Sequence, residues 1–146
     1  MTLTLAWIGK SKDAAIISLT AEYLKRLQRY VTAEGRELSD QSALLRLVSR
    51  AGRTAPVLIL LDSRGKQLSS EELAGFVRDH RDHGTQELIF AIGPANGWTD
   101  ETRKRADFQL SLGRITMPHE LARAVLSEQL YRAFTILAGH PYHSGH

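Results

Sequence analysis

Three histidines recur at every third position of the C-terminal tail, His140, His143 and His146, with Pro141 and Tyr142 among them. Imidazole titrates near neutrality and ligates metals, so the pattern admits a metal site or a proton-handling group. Pro141 breaks the helix that would bring the three onto one face, and no acidic or cysteine ligand accompanies them. That disfavours a metal. An aromatic among histidines suits stacking on a substrate base or exchanging a proton with it. Ser144 to His146 is expected to be disordered. His80 and His83 read as solvated surface, and no Ser-His-Asp order or paired carboxylate supports hydrolysis. The chain has no cysteine, which removes disulfides, thiolate metal sites and a thiol nucleophile.

Three other segments follow apolar runs. In Ile92-Gly93-Pro94-Ala95-Asn96-Gly97 the glycines permit unusual backbone and close approach of a ligand. It matches neither GxGxxG nor the P-loop, and taken alone it reads as a strand-to-helix turn. In Leu61-Asp62-Ser63-Arg64-Gly65-Lys66, Asp62 and Ser63 suit a polar turn, while Arg64 and Lys66 are able to meet an anion. In Leu112-Gly113-Arg114-Ile115-Thr116-Met117-Pro118-His119, apolar side chains interleave with Gly113 and Thr116. This run fits an adenine bed or a continuation of the core equally well.

The elements that must position these segments alternate in type. Leu3 to Ile8 reads as a strand ended by Gly9, and Asp13 to Arg29 as a helix, followed by a strand over Tyr30 to Glu37. A short helix is predicted over Ser42 to Ala51 with Gly52 as its cap, then a doubly buried strand over Val57 to Leu61. Glu71 to His83 is helical, Glu87 to Ile92 a second buried strand, Asp100 to Ala106 a short helix, and Phe108 to Leu112 a strand. His119 to Leu137 carries the strongest helical spacing, opened by Pro118 and closed by Gly139 and Pro141. Part of its broad apolar face is available as a subunit interface. Such alternation predicts an α/β fold with a parallel-rich sheet and helices on both faces. Ligands of such sheets sit beyond the carboxyl ends of the strands, where the three segments lie.

The chain has 146 residues, 42% hydrophobic and 24% charged, which suits one globular domain over residues 1–146. No secretory leader or bilayer-spanning run is visible, so no membrane is expected and the cytoplasm is the default location. A net charge of +3 is compatible with a polyanionic partner and is weak support for one.

Taken together, IGPANG, LSLGRITMPHELAR, EQLYRAF and the terminal HPYH resemble the ribosomal RNA large subunit methyltransferase H family, over the whole chain and most specifically from Leu110 to His143. The resemblance implies the SPOUT fold, with a deep C-terminal trefoil knot, against the general rarity of knots. It also implies a homodimer whose active site the partner subunit completes. The implied activity is S-adenosylmethionine-dependent methylation of N3 of a pseudouridine in 23S rRNA, within the ribosome and without a metal. Carried onto this chain, the cofactor contacts are Leu61, Gly93, Leu112, Gly113, Arg114, Ile115, Thr116 and Met117. His119, Arg123, Arg132, Tyr142 and His143 are implied near the substrate.

Two departures stand out. Pro94 and Asn96 replace a second glycine and an acidic residue usual in relatives, and the connection from Arg36 to Ser42 is shorter and less basic. Methyl transfer to an imide nitrogen needs alignment and loss of a proton. His143 or His119, unranked, is expected to take that proton; Arg123 is expected to stabilise the developing anion, Tyr142 to stack on the base, and Arg132 to contact substrate. The competing expectations are a non-catalytic RNA- or ribosome-binding dimer of the same fold, and an enzyme using another nucleotide cofactor.

Overall fold

The computed structural model describes residues 1–49 and 54–144. Five strands and five helices alternate along it: β1 (Thr2–Ile8), α1 (Ala14–Leu27), β2 (Thr32–Leu38), α2 (Gln41–Val48), β3 (Val57–Gln67), α3 (Ser70–Asp82), β4 (Glu87–Ile92), α4 (Asp100–Arg105), β5 (Phe108–Ser111) and α5 (His119–Leu137). A 3₁₀ turn at Pro141–His143 follows. Each helix start has its local cause. Asp13, Asp40, Ser69 and Thr99 accept hydrogen bonds from the first-turn amides, and Ser69 with Glu72 forms a reciprocal capping box. Pro118, which lacks an amide hydrogen, opens α5 without a side-chain cap.

The sheet order is β2-β1-β4-β3-β5, and every neighbouring pair is parallel. Alternation along the strands sorts the core into two layers. Leu3, Leu5, Ile59, Leu88, Phe90 and Leu110 face α1, α3 and α5, with Leu27, Val77, Leu126 and Leu130 packed among them. Ala6, Ile8, Leu58, Leu60, Ile89 and Ala91 face the other way, against Leu44, Leu47 and Val48 of α2 and against Trp98. The apolar runs at 57–61 and 88–92 are therefore strands covered on both faces, as expected.

Many element ends differ from the sequence reading by one or two residues, and three differences are larger. Helix α2 ends at Val48 with Ser49 as its cap, and the predicted Gly52 cap and Ala51 lie outside the described residues. Strand β3 does not stop at Leu61. It leaves β5 after Leu61 and rejoins at Lys66, both residues aligning with Leu110, so residues 62–65 bulge out of the ladder. Gly65 allows the return, since a Cβ there would stand 2.6 Å from the Gln109 carbonyl. Ser144, expected to be disordered, closes the tail turn by donating its amide hydrogen to the Pro141 carbonyl at 2.9 Å, and residues 145 and 146 lie outside the described residues.

Most of the apolar face of α5 is used within the chain: Leu126, Leu130 and Ala133 are fully buried, and Leu121 is the one large apolar side chain of this helix classed as exposed. Ile17 and Leu19 of α1 are also exposed. Among the described residues no helix is long and apolar enough to cross a membrane, and no group of three or more His, Cys, Asp or Glu is placed to hold a metal ion.

Candidate active site

All parallel strands end at one edge of the sheet, and the three loop segments meet there. Leu61 to Arg64 from the β3 bulge, Ile92 to Trp98 after β4 and Leu112 to His119 after β5 enclose a cavity of about 600 Å³. That size accommodates a nucleoside-sized ligand.

Trp98 ties two of the loops together. Its indole is 6% exposed, and its Nε1–H donates to the Leu61 carbonyl at 2.8 Å. The ring lies so close to Gly93 that a Cβ there would stand 2.9 Å from ring carbon Cε2. Gly93 is thus required by packing, in addition to any close approach of a ligand. Pro94 leaves the turn intact: its carbonyl accepts from the Gly97 amide at 2.9 Å, and Gly97 takes a left-handed φ of 83°. Gln41 of α2 fixes the loop from outside, donating to the Gly97 carbonyl at 3.2 Å and accepting from the Thr99 amide at 2.9 Å.

The β3 bulge is the polar turn that its residues predict. The Asp62 carboxylate accepts from the Arg64 amide at 3.0 Å and from Arg103 Nε at 3.0 Å, and lies 3.8 Å from Arg64 Nε. Burial alone would raise its pKa; the amide and the two guanidinium groups outweigh it and hold the carboxyl below its ordinary value. Arg103 and Trp98 line the cavity, yet sequence reading did not single them out. Trp98 was signalled only by its place beside Gly97.

The third loop is pinned at its start and open beyond. Ser111 Oγ accepts from the Gly113 amide and donates to the Gly113 carbonyl, both at 3.0 Å, while Gly113 adopts φ 130°. The main-chain groups of residues 114–117 make no backbone hydrogen bond among the described residues. They are available to a ligand. Ile115 is 84% exposed, a large apolar side chain at the mouth of the cavity.

Seven of the eight expected cofactor contacts line this cavity: Leu61, Gly93, Leu112, Gly113, Ile115, Thr116 and Met117. Arg114, exposed in the same loop, is not among the lining residues. His119 lines the cavity as the first residue of α5; the other expected substrate residues fall elsewhere.

Arg123 is 2% exposed and sits under Trp7, its guanidinium 4.3 Å from the ring centroid. Nη1 donates to Ser11 Oγ at 2.6 Å, whereas Nε and Nη2 are buried without a hydrogen-bond partner. Burial lowers its pKa, against the raising effect of Glu120 and Glu37. The group ties the β1–α1 corner to α5.

Arg132, Tyr142 and His143 do come together, at the other end of α5. Arg132 pairs with Glu128 at 2.7 Å, lies 4.9 Å from the Tyr142 ring centroid, and meets His143 Nδ1 at 2.9 Å. Since arginine only donates, His143 Nδ1 accepts there and Nε2 carries the proton toward Glu71 Oε1, 2.6 Å away. Tyr142 donates to Glu128 at 3.2 Å; burial first, then the Glu128 charge, raises its pKa to about 12, so the phenol stays protonated at neutral pH. Arg132 follows His119 by thirteen helical steps, roughly 20 Å along the axis.

The family model described as "Predicted SPOUT methyltransferase" matches residues 1–143. The ribosomal RNA large subunit methyltransferase H of Koribacter versatilis (strain Ellin345) is 63% identical over 146 residues, covering 100% of each chain. The protein of the same name from Geobacter sp. (strain M21) is 40% identical, with 98% of this chain and 99% of that one covered. Among solved structures, a methylase family protein from Haemophilus influenzae Rd KW20 superposes with a TM-score of 0.60 at 12% identity, over 98% of this chain and 70% of that one. The SpoU methyltransferase AviRb from Streptomyces viridochromogenes, solved with AdoMet, gives 0.57 at 13% identity, over 94% of this chain and 58% of that one. The two solved structures bear on the fold, the two sequences on the family. The chain belongs to the SPOUT methyltransferases, and within them to the ribosomal RNA large subunit methyltransferase H family.

Proposed function

We propose that this protein is an S-adenosylmethionine-dependent ribosomal RNA methyltransferase acting on N3 of a pseudouridine in 23S rRNA, on the ribosome and in the cytoplasm. The observation that carries the reading is the cavity itself. Three loops converge on it, one of them with open main-chain groups over residues 114–117, in a family whose relatives are named ribosomal RNA large subunit methyltransferases.

The residues present fit the cofactor. Leu61, Leu112, Ile115 and Met117 offer apolar surface, and the 114–117 main chain offers donors and acceptors for an adenine edge. Gly113 has open space where a Cβ would stand, so the main chain there is approachable. When bound, S-adenosylmethionine supplies an electrophilic methyl group. The family implies a trefoil knot, and the loops after β4 and β5 that border this cavity are the segments it would involve.

The chain's own residues align the base and take up the N3 proton. His119, at the cavity wall, is the base available within one chain. Tyr142 stacks on the target base, with Arg132 and His143 beside it, but these lie roughly 20 Å along α5 from His119. A homodimer resolves that separation if the tail of one copy reaches the cavity of the other. Arg123 contributes from below, by fixing the start of α5.

The test is transfer of isotopically labelled methyl groups to large ribosomal subunits that contain pseudouridine but lack this methylation. Label in a 3-methylpseudouridine supports the reading. Label at another nucleotide corrects the target, and no label from folded protein rejects the activity.

A further inference from the structure

A second concavity, about 430 Å³, lies at the far end of α1 and takes no part in the cofactor site. Glu22, Lys25 and Arg26 line it from the last turns of α1, at spacings of three and four that place them on one helical face, and Arg29 joins them from the turn just past the helix end. Tyr131 of α5 and His140 of the tail form the remaining lining. Cations at a helix C-terminus are ordinary, because the helix dipole favours them there. Here the distribution of partners says more.

Glu22 is the one carboxylate of the lining, and Arg26 engages it at 2.9 Å. The Arg26 guanidinium also lies 5.5 Å and 5.7 Å from the Tyr23 and Tyr131 ring centroids, so its position is set. Lys25 and Arg29 are exposed, and neither side chain makes a hydrogen bond or ion pair among the described residues. His140 Nδ1 accepts from the Tyr142 amide at 3.2 Å, which leaves Nε2 as the donating nitrogen of the neutral ring. Three kinds of donor thus border one concavity in which three cations share the charge of Glu22, leaving a positive surplus. The floor, Tyr131, packs edge-on against Tyr142 at 4.8 Å between centroids.

We propose that this concavity seats a backbone phosphate of the RNA substrate, next to the nucleotide met by the tail. Lys25 and Arg29 supply the charge, and His140 Nε2–H supplies a directed hydrogen bond. The inference rests on the RNA-substrate reading above and adds a contact surface to it. Contacts of this kind carry no base specificity and are read out through salt.

The experiment compares wild type with the double variant Lys25→Ala/Arg29→Ala, using large ribosomal subunits, over a series of salt concentrations. Losing two phosphate contacts lowers the slope of log affinity against log salt by about 1.5, and weakens binding roughly 30-fold at 0.1 M salt. KM for subunits rises accordingly, while turnover at saturation, S-adenosylmethionine affinity, melting temperature and dimer mass stay unchanged. The charge-preserving swap Lys25→Arg/Arg29→Lys restores the slope. An unchanged slope and KM in a methylating enzyme overturn the phosphate site alone. Loss of the dimer assigns the surface to a second copy and also overturns it. If wild type binds subunits with the steep slope but transfers no methyl group, the methyltransferase reading fails and the phosphate site stands.

Discussion

Gly93→Ala probes the join between fold and site. The added methyl would stand 2.9 Å from Trp98 Cε2 and 3.1 Å from two further ring carbons, where ordinary contact begins at 3.4 Å. The indole must retreat by about half an ångström, against a buried environment and a 2.8 Å hydrogen bond to Leu61. Overpacking of this kind costs about 1–3 kcal/mol, and the stretched bond forfeits part of a further 1 kcal/mol. A loss of about 2–3 kcal/mol follows, or roughly 6–12 °C in melting temperature for a domain of this size. Because Leu61 and Gly93 both border the cavity, S-adenosylmethionine affinity falls at least tenfold as well. Thermal melts at fixed protein concentration and calorimetric titration measure the two effects. Trp98→Leu removes the ring that clashes, so adding Gly93→Ala to that background should cost under about 0.5 kcal/mol. A Gly93→Ala protein that melts within 1 °C of wild type and binds cofactor normally refutes the packing argument.

Three other outcomes are expected. Ser111→Ala removes both hydrogen bonds to Gly113, destabilising by about 1–3 kcal/mol, and weakens cofactor binding several-fold by releasing the 112–118 loop, as titration would register. The Asp62 carboxyl has a folded pKa below its ordinary 3.8, so its contribution is present above that value and disappears as pH falls through the folded pKa. The melting-temperature gap between wild type and Asp62→Asn is therefore full above about pH 5 and closes progressively below pH 3.8; a gap that is constant with pH contradicts the assignment. Arg123→Met keeps an apolar stem beneath Trp7 and deletes two unpartnered nitrogens, and should change stability by under about 1 kcal/mol, whereas Arg123→Ala leaves a cavity costing about 2–4 kcal/mol. Equal melts for the two variants would contradict that account.

Much of the architecture was legible because the apolar runs at 57–61 and 88–92 have one physical solution, a strand covered on both faces. The capping residues Asp13, Ser69 and Thr99 likewise follow local rules that sequence carries. The polar turn after Leu61 was legible, but the return of β3 to β5 beyond it was not, because it depends on the backbone of Gln109, which Gly65 approaches from a distant part of the chain. Trp98 and Arg103 were missed for the same reason: their partners Leu61 and Asp62 lie 37 and 41 residues away. Within the site, the three segments expected to hold the cofactor meet at one cavity because each follows a strand in a parallel sheet. The expected substrate residues do not gather at that cavity, since residue type gives no clue that Arg123 turns under Trp7 while Arg132 turns toward the tail.

Calorimetric titration of the purified protein with S-adenosylmethionine, with ATP and NAD as controls, tests the central claim most directly. Selective saturable binding, lost in Gly113→Val where a side chain enters the open space at φ 130°, is the predicted result. A folded protein that takes up no S-adenosylmethionine, or takes up all three ligands alike, would contradict the assignment of this cavity and the methyl transfer built on it.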